Sequence, residues 1–563
     1  METGELTQAE LRLVRAAEAG DVWRPDGDAE LRADIIQALT VGELLPGFKQ
    51  PVLVQSKGIR IDDAKITGHL DLESAIVTIP LWFFDCTFAE AINVRHAQLS
   101  LLCLRGCNLP GFHGHRLRID GPLLMSRSDK NPFRAPDRID LTSAEVAAEV
   151  SFTGAEIGGI GAVALDCNGA QFGASFSLRA LRAVGLVDLT RLRVDGNLHA
   201  QGAVLKAAPG QAVALTARGV RISGDASFRE GFEAHGQIDV SRSDIAGSLL
   251  FDGARLEAPG GTALSVNQAK IGAALGLSQE GNFSHEASLR GHLDLRGAHI
   301  KEFRDDGSLW PDKRTGFLKI DGCHYERFGG RATIRSGKKR VRWLKLQRPG
   351  DLGRDFKAQP WEHLIQSLSN SGHVNDARFV AIAKEQALHR SGTLTWRQWA
   401  WSWFSGLITG YGFLPMRSVY AAVVIYLIGV AVFASANRQG LMAPSDPTVL
   451  ASPQYAETRT PPPDYPRFNA WIYSLDVFLP VVDLHQESRW LPSRDHDPVT
   501  SRAATQGADG ASAVFWDRTA ARLDQEITPL RAQAWLELEI ILGWIVTSLA
   551  IAAFSGLLRP TKD

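Results

Sequence analysis

A repeat of about 25 residues runs through the middle of the chain and constrains its fold more than any other feature. Between residues 51 and 330, short apolar pairs alternate with Gly, Asp, Ser and Asn, without helical periodicity. Equivalent apolar positions, which are 26, 22, 28, 23 and 26 residues apart, are Val146, Phe172, Val194, Ile222, Ile245 and Ile271. Short strands that repeat at this length with glycine turns are typical of a solenoid, whose coils stack their apolar side chains on one another.

Spacing within the repeat narrows the fold class. Val240, Ile245 and Leu250 are five residues apart, the spacing of pentapeptide-repeat proteins. No segment of the repeat is long enough for crossover helices, which excludes a doubly wound sheet. We therefore predict a mainly β fold, with a right-handed parallel β-helix of pentapeptide-like type over residues 51–332. A helical cap over residues 1–50 is expected to begin with a capping box of Thr7 and Glu10.

Charge and composition exclude several classes of protein. The 563 residues include 61 Lys+Arg and 62 Asp+Glu, so a general nucleic-acid binder is not expected. A mean hydropathy of −0.08 excludes a polytopic transporter but not one or two membrane spans. Five sparse cysteines indicate reduced thiols rather than a disulfide framework. Because the first residues lack the regions of a signal peptide, we expect the first 300 residues to stay in the cytoplasm.

Two uncharged segments near the C-terminus are long enough to cross a bilayer. They cover residues 418–436 and 540–558 and are flanked by Arg417, Arg438 and Arg559. We predict a two-helix transmembrane unit over residues 416–563, in which residues 437–539 form an outward loop. The N-terminal domain and the C-terminus are then expected on the cytoplasmic side of a bacterial inner membrane.

Residues 333–415 are predicted to form a neck that meets the lipid bilayer. They begin with a basic segment, continue with a helical pair that Pro360 opens and Gly372 breaks, and end in an aromatic cluster. The basic segment is suited to anionic lipid headgroups, and a solvated edge or nucleic-acid contact are open alternatives. Tryptophans are typical of membrane interfaces. The candidate lipid-facing residues are Lys338, Lys339, Arg340, Arg342, Trp396, Trp399 and Trp403.

A short apolar helix is predicted between the two spans, at residues 469–484. It is either an amphipathic helix on the membrane surface or a re-entrant pore helix, and the residues leave both interpretations open. One helical face carries both Asp476 and Asp483 unless Pro480 ends the helix. In an oligomer, a ring of such carboxylates would attract cations. The candidate pore or re-entrant residues are Asn469, Ser474, Asp476, Pro480 and Asp483.

Motifs for catalysis are weak, and we predict no catalytic, cofactor or metal site. The glycines at 159 and 161 resemble a dinucleotide fingerprint but lack the helix that this motif requires. Cys103, Cys107, His113 and His115 have the residue types of a zinc site but an unusual spacing, so buried thiols and loop histidines are favoured. An enzyme is therefore not expected.

The order of parts resembles a family of bacterial membrane proteins with a pentapeptide-like β-helix, common in actinobacteria and often labelled "membrane-associated oxidoreductase". The motifs that carry this resemblance are Gly-Ile-Arg-Ile (58–61), Gly-His-Leu-Asp-Leu (68–72), Gln-Pro-Trp-Glu-His-Leu (359–364), Asp-Ala-Arg (376–378), Gly-Tyr-Gly-Phe (410–413), Tyr-Ser-Leu-Asp (473–476) and Asp-Leu (483–484). The resemblance implies oxidoreductase activity, for which the sequence shows no redox motif.

The C-terminal third also resembles the two-span ion-channel module, with a span, a helix and loop, and a second span. Glu539 and Gly543 are candidate positions at the start of its inner helix. The resemblance implies a homo-oligomer, a tetramer if the protein is a channel. The filter motif of potassium channels is replaced by Pro-Val-Val-Asp (480–483). Three hypotheses follow: a ligand- or partner-sensing β-helix coupled to a channel-like module, a membrane-anchored scaffold, and an oxidoreductase.

Overall fold

The computed structural model describes residues 5–27, 29–279, 286–458, 460–479, 481–493 and 528–555. They belong to two compact units, Met1–Lys384 and Glu385–Asp563. The first unit contains a parallel β-solenoid of about 11 turns, and the second contains two helices that are long and apolar enough to cross a membrane. The prediction of a β-solenoid followed by helices is confirmed. Its right-handedness and pentapeptide type stay predictions.

The N-terminal helices form as their sequence predicts. Helix Gln8–Ala19 begins at Thr7, whose hydroxyl accepts from the Glu10 amide while the Thr7 amide donates to the Glu10 carboxylate. This reciprocal pair is the predicted capping box. Strand Glu30–Arg32 then pairs in parallel with Lys65–Thr67 of the solenoid, and helix Ala33–Val41 follows it. The first coil edge is thus covered.

Each coil contributes short strands that stack in register on the next coil. The strands of one coil are Arg193–Val194, Leu198–His199, Val204–Lys206 and Val213–Thr216. Their partners one coil later are Arg221–Ile222, Ala226–Ser227, Glu233–His235 and Gln237–Asp239. Every pairing within the described solenoid is parallel. The six equivalent positions identified in the sequence are direct register neighbours and are all buried: Val146, Phe172, Val194, Ile222, Ile245 and Ile271.

Most of the remaining solenoid strands are as short as those of the coil described above. The exceptions are places where two strand segments of a coil join into one long strand. They are Ile59–Asp62, Lys65–Thr67, Ile76–Val77, Leu81–Phe84, Thr87–Phe88, Ile92–Asn93, Gln98–Leu99, Leu102–Arg105, Phe112–His113, Arg118–Ile119, Leu123–Leu124, Arg134–Ala135, Ile139–Asp140, Glu145–Val146, Val150–Ser151, Glu156–Asp166, Gln171–Phe172, Phe176–Ser177, Arg182–Asp188, Asp244–Ile245, Leu249–Leu250, Arg255–Ser265, Lys270–Leu277, Ser288–Asp294, His299–Asp305, Leu318–Lys319 and His324–Phe328. The five-residue spacing holds for buried Val240 and Ile245, whereas Leu249 takes the next core position and Leu250 is half-buried.

A repeated aspartate or asparagine stabilises one turn of many coils. Its side-chain oxygen accepts a hydrogen bond of 2.8–3.3 Å from the backbone N–H two residues later, as an Asx turn does. The next residue often has a left-handed backbone, for example Ser74 with φ 59° and Arg191 with φ 57°. The residues with this role are Asp71, Asn93, Asp140, Asp166, Asp188, Asp239 and Asp294.

A buried ion pair attaches the first helix after the solenoid, Gly337–Leu344, to the last coils. The guanidinium of Arg340 donates to both carboxylate oxygens of Asp305, and both side chains are fully buried. The same guanidinium lies 3.9 Å from the ring centroid of Phe328. Arg340 therefore does not face lipid headgroups, which corrects the sequence-based interpretation of this residue. The pattern of charges could not show this, because the partner is 35 residues away in the chain.

Side chains of helix Gln359–Asn370 complete the hydrogen bonds of the last coil. The Gln359 amide accepts from the Gly322 N–H and donates to the Cys323 carbonyl, as a further strand would. His363 Nε2 accepts from the Tyr325 N–H at 2.8 Å. These contacts satisfy backbone groups that a missing next coil would otherwise leave unpaired. The remaining helices of this region are Pro349–Leu352 and Val374–Arg390.

The second unit is mainly helical. Among its described residues, the helices are Trp396–Thr409, Met416–Arg438, Pro447–Leu450, Pro453–Thr458, Ala470–Phe478 and Pro529–Phe554, and two antiparallel strands are Met442–Pro444 and Trp490–Pro492. We call Met416–Arg438 the first apolar helix, Pro529–Phe554 the second apolar helix and Ala470–Phe478 the short helix.

The two apolar helices match the predicted spans unequally. The first contains all of residues 418–436. The second begins eleven residues before the predicted start at 540, and residues 556–558 lie outside the described part of the chain. The early start includes Glu539, whose charge set the predicted boundary. Glutamate is a good helix former, so Glu539 does not end the helix, and its side chain is fully buried in the unit.

Candidate functional site

The short helix packs between the two apolar helices, with one apolar cluster at each end of the contact. The first cluster includes Phe433, Tyr473, Trp490 and Leu536. The second cluster includes Ile408, Phe478, Val546 and Leu549, where Ile408 comes from helix Trp396–Thr409. Along both apolar helices, the residues between these clusters form a buried polar contact. We call this polar contact the central site.

The segment that carries the short helix enters and returns at the same cluster. It starts at Phe468, whose ring lies 5.6 Å from that of Trp490, both against the first cluster. The short helix then runs to Phe478 in the second cluster, and the chain returns to Trp490. Asn469 caps the helix, because its side-chain oxygen accepts from the Trp471 and Ile472 amides. The segment therefore enters and leaves the pair of apolar helices at the same end.

Asp476 holds the returning part of the segment. Its carboxylate accepts from the backbone amides of Leu484, Gln486 and Glu487 at 2.6, 2.8 and 2.8 Å. The side chain is buried, with 6% of its surface exposed. Its oxygens therefore stabilise a loop instead of pointing into open space.

Asp483 has different surroundings from Asp476. The helix ends at Phe478, so the two aspartates do not share a helical face. The Asp483 carboxylate is exposed and contacts the His485 ring nitrogen Nδ1 at 2.8 Å. Pro480, the predicted end of the helix, lies outside the described residues.

The central site joins one residue from each of the three helices. Ser474 Oγ lies 2.6 Å from Glu539 Oε1 and 3.1 Å from the carbonyl oxygen of Tyr426. The second carboxyl oxygen, Glu539 Oε2, accepts from the indole N–H of Trp535 at 2.9 Å. Both Ser474 and Glu539 are fully buried. The short helix is thus hydrogen-bonded to both apolar helices at one point.

Two glycines make this close approach possible. A Cβ atom at Gly429 would lie 2.2 Å from Glu539 Oε1 and 2.4 Å from Ser474 Oγ. A Cβ atom at Gly543 would lie 2.2 Å from the Phe478 carbonyl oxygen. Gly543 was a sequence candidate, and the structure gives it a packing role. Gly429 was missed; its signal is a glycine in the middle of an apolar segment. Tyr426 and Trp535 were also missed as members of this site, and Tyr426 contributes a backbone carbonyl, for which its residue type gives no signal.

The other sequence candidates lie on exposed surfaces, apart from Arg340. Lys338, Lys339 and Arg342 are exposed on helix Gly337–Leu344. Trp396, Trp399 and Trp403 are 75%, 48% and 53% exposed on helix Trp396–Thr409. Their predicted contact with lipid stays a prediction.

The cysteines are buried thiols in the solenoid, as expected for Cys103. Burial raises the pKa of the Cys103 thiol to about 11 and that of Cys323 to about 12. Thiols with raised pKa values are poor nucleophiles and poor metal ligands near neutral pH. Within the described residues, no group of three His, Cys, Asp or Glu side chains has the arrangement of a metal site.

A groove of about 790 Å³ runs beside the last coils of the solenoid. Lys270, His299 and His324 follow one another in register along it. The rings of His299 and His324 stack at 5.2 Å, and His363 lies 5.2 Å beyond His324. This groove is a surface where the solenoid could bind a ligand or a partner.

No protein-family model, curated protein or solved structure matches this chain. The resemblances to the β-helix membrane family and to the two-span channel module therefore stay predictions from sequence motifs.

Proposed function

We propose that this chain is a membrane protein in which a sensing solenoid domain is joined to a two-span, channel-like unit. The solenoid and the C-terminus lie in the cytoplasm, the spans cross a bacterial inner membrane, and a protein or small ligand binds the solenoid. The observation that carries the proposal is the path of the segment with the short helix, which enters and leaves the pair of apolar helices at the same end. Pore helices of channels follow such a path.

The depth of the central site agrees with this placement. Gly429 precedes the end of the first apolar helix at Arg438 by nine residues, and Glu539 follows Pro529 by ten. At ~1.5 Å per residue, Gly429 and Glu539 are about 14–15 Å from these two helix ends, Arg438 and Pro529 respectively. A hydrocarbon core is about 30 Å thick, so the contact would lie near its midplane. The short helix would therefore reach the middle of the bilayer.

Conduction would require several copies, because two spans do not enclose a pore. The outward faces of both apolar helices offer apolar side chains to lipid or to further copies, including Val423, Val424, Leu427, Ile541, Ile545 and Ile551. In such an oligomer, the exposed Asp483 is the more accessible of the two carboxylates, Asp483 and Glu487, that the returning segment would offer to cations.

The test is cation flux through liposomes that contain the full chain, together with its mass in mild detergent. We expect an oligomer and a flux that Asp483→Asn reduces several-fold. Asp464→Asn, an exposed aspartate between the same two helices, is the matched control and should leave the flux unchanged. A monomer without flux would refute the channel-like proposal.

A membrane-anchored scaffold is the second candidate, favoured by the use of Asp476. Its carboxylate is fully engaged by backbone amides, so one of the two predicted pore carboxylates has a structural role. On this reading the helices anchor the solenoid, and binding in the groove near His299 and His324 is the activity. An oligomer that shows no flux while partner binding depends on Lys270 would support the scaffold.

A further inference from the structure

The Ser474 hydroxyl lies within hydrogen-bond distance of two other oxygens in the central site. Ser474 Oγ is 2.6 Å from Glu539 Oε1 and 3.1 Å from the carbonyl oxygen of Tyr426. A serine hydroxyl has one hydrogen and a carbonyl has none. For the two contacts to be separate hydrogen bonds, each with its own hydrogen, the second hydrogen must come from the carboxyl group. Glu539 then donates to Ser474, and Ser474 donates to Tyr426.

The surroundings of the carboxyl group also favour its neutral form. Glu539 is fully buried, and its other oxygen accepts one hydrogen bond from Trp535. Its recorded partners in the described part of the chain are this indole and the Ser474 hydroxyl, neither of which is a cation. An unpaired buried charge is costly, and most so within a membrane.

The other titratable groups on the three helices do not supply a charge that would stabilise ionised Glu539. Asp476 is engaged by three backbone amides, Tyr426 donates its hydroxyl to the Trp471 carbonyl, and Glu537 is exposed. The full set of charged or titratable side chains on these helices is Arg417, Tyr420, Tyr426, Arg438, Tyr473, Asp476, Arg531, Glu537 and Glu539. The arginines stand within three residues of helix ends, away from the central site.

We propose that the two-span unit contains a proton-binding site, in which protonated Glu539 donates to Ser474 and Ser474 donates to Tyr426. One bound proton thereby joins the short helix to both apolar helices. Release of the proton leaves a buried anion and a single hydrogen for two contacts, so it weakens the attachment of the short helix. This inference goes beyond the proposed function, because it does not require conduction.

Infrared spectroscopy of the full chain in lipid nanodiscs tests the proposal. At neutral pH we expect a carboxylic-acid C=O band that Glu539→Gln removes and that Glu537→Gln, two residues away on an exposed face, retains. Raising the pH should replace this band with carboxylate absorption in the wild type. Ser474→Ala should move the acid band to higher frequency, because the acid loses its hydrogen-bond acceptor.

A second variant keeps the test decisive if Glu539→Gln does not fold. Glu539→Asp retains an acid, so it should shift the band in frequency without removing it. A wild-type spectrum that shows only carboxylate at this residue at neutral pH would overturn the proposal. Carboxylate absorption that responds to Na⁺ or K⁺ would also overturn it, in favour of a metal cation. Flux measurements are independent of these outcomes, so failure of the proton site and failure of the channel-like function are distinguishable.

Discussion

Single glycines decide how closely the short helix can approach its neighbours. The three atoms nearest to a new Cβ at Gly543 are all backbone atoms of Phe478, and the closest, its carbonyl oxygen, has little freedom to move. We expect Gly543→Ala to destabilise the two-span unit by about 1–3 kcal/mol, the usual cost of overpacking. Thermal unfolding of the full chain in detergent measures the effect, with Ser548→Ala on an exposed position of the same helix as control. Equal stability of both variants would contradict the packing role of Gly543.

The buried pair of Arg340 and Asp305 gives a second prediction at this scale. Removing one partner leaves the other charge buried without compensation, which costs roughly 3–5 kcal/mol. Asp305 would keep only the Trp310 indole N–H as a side-chain donor. We therefore expect Arg340→Met to lower the stability of the solenoid, as measured by circular dichroism of the β signal on heating. Arg342→Met, exposed on the same helix, should have little effect; a similar loss in both variants would refute the argument.

Residue roles such as these could not be predicted from the sequence. Arg340 belongs to a run of basic residues, and nothing local distinguishes it from exposed Lys339. Asp476 and Asp483 have similar sequence surroundings, but three backbone amides of the returning loop hold the buried Asp476, whereas the exposed Asp483 accepts from one of them, the His485 amide. The partner of Arg340 is 35 residues away, and the partners of Asp476 are 8 to 11 residues away in an irregular loop, so neither contact leaves a periodic signal.

At the scale of elements, helix Gln359–Asn370 makes the last coil sensitive to pH. Burial lowers the pKa of His363 below its ordinary value, against the raising effect of the Tyr325 carbonyl. The neutral ring accepts from the Tyr325 N–H, whereas a protonated ring would donate to the carbonyl instead. The stabilisation that His363 gives by accepting from Tyr325 is therefore fully present above about pH 6.5, the pKa of histidine in the unfolded chain. It is lost as the pH falls through the lower pKa that His363 has in the folded protein.

Hydrogen exchange of the Tyr325 amide measures this loss. Protection relative to the intrinsic rate should fall between neutral and mildly acidic pH. In His363→Gln the side chain can accept at every pH, so the pH dependence should disappear. The same dependence in the variant would show that another group is responsible.

Helices and strands with strong periodicity could be predicted from the sequence, but the residues at which they begin and end were predicted less well. The six repeat positions pair in register because each coil must bury the same face. The first apolar helix was placed within two residues at each end. The second was placed too late because Glu539 was read as a boundary, although tertiary contacts bury it. For the short helix, the sequence allowed two placements, on the membrane surface or as a re-entrant pore helix, and these differ only in long-range packing.

For the molecule as a whole, an architecture that grows by adding equal coils has no internal reason to stop. Here the last coil ends against side chains that imitate the next one, above all the Gln359 amide with its paired donor and acceptor. An uncovered solenoid edge is a template for another chain. These capping side chains would therefore prevent another chain from pairing with the last coil.

If these side chains protect the last coil, removing them should change the self-association of the protein as well as its stability. Gln359→Ala combined with His363→Ala should let two molecules pair at their uncovered last coils, giving dimers whose fraction rises with protein concentration in light scattering. Gln366→Ala, an exposed glutamine of the same helix, is the matched control. A double variant that forms no such dimers at any concentration would show that the edge is protected by other means. A glutamine side chain that copies one peptide unit would thus keep the last coils of two molecules apart.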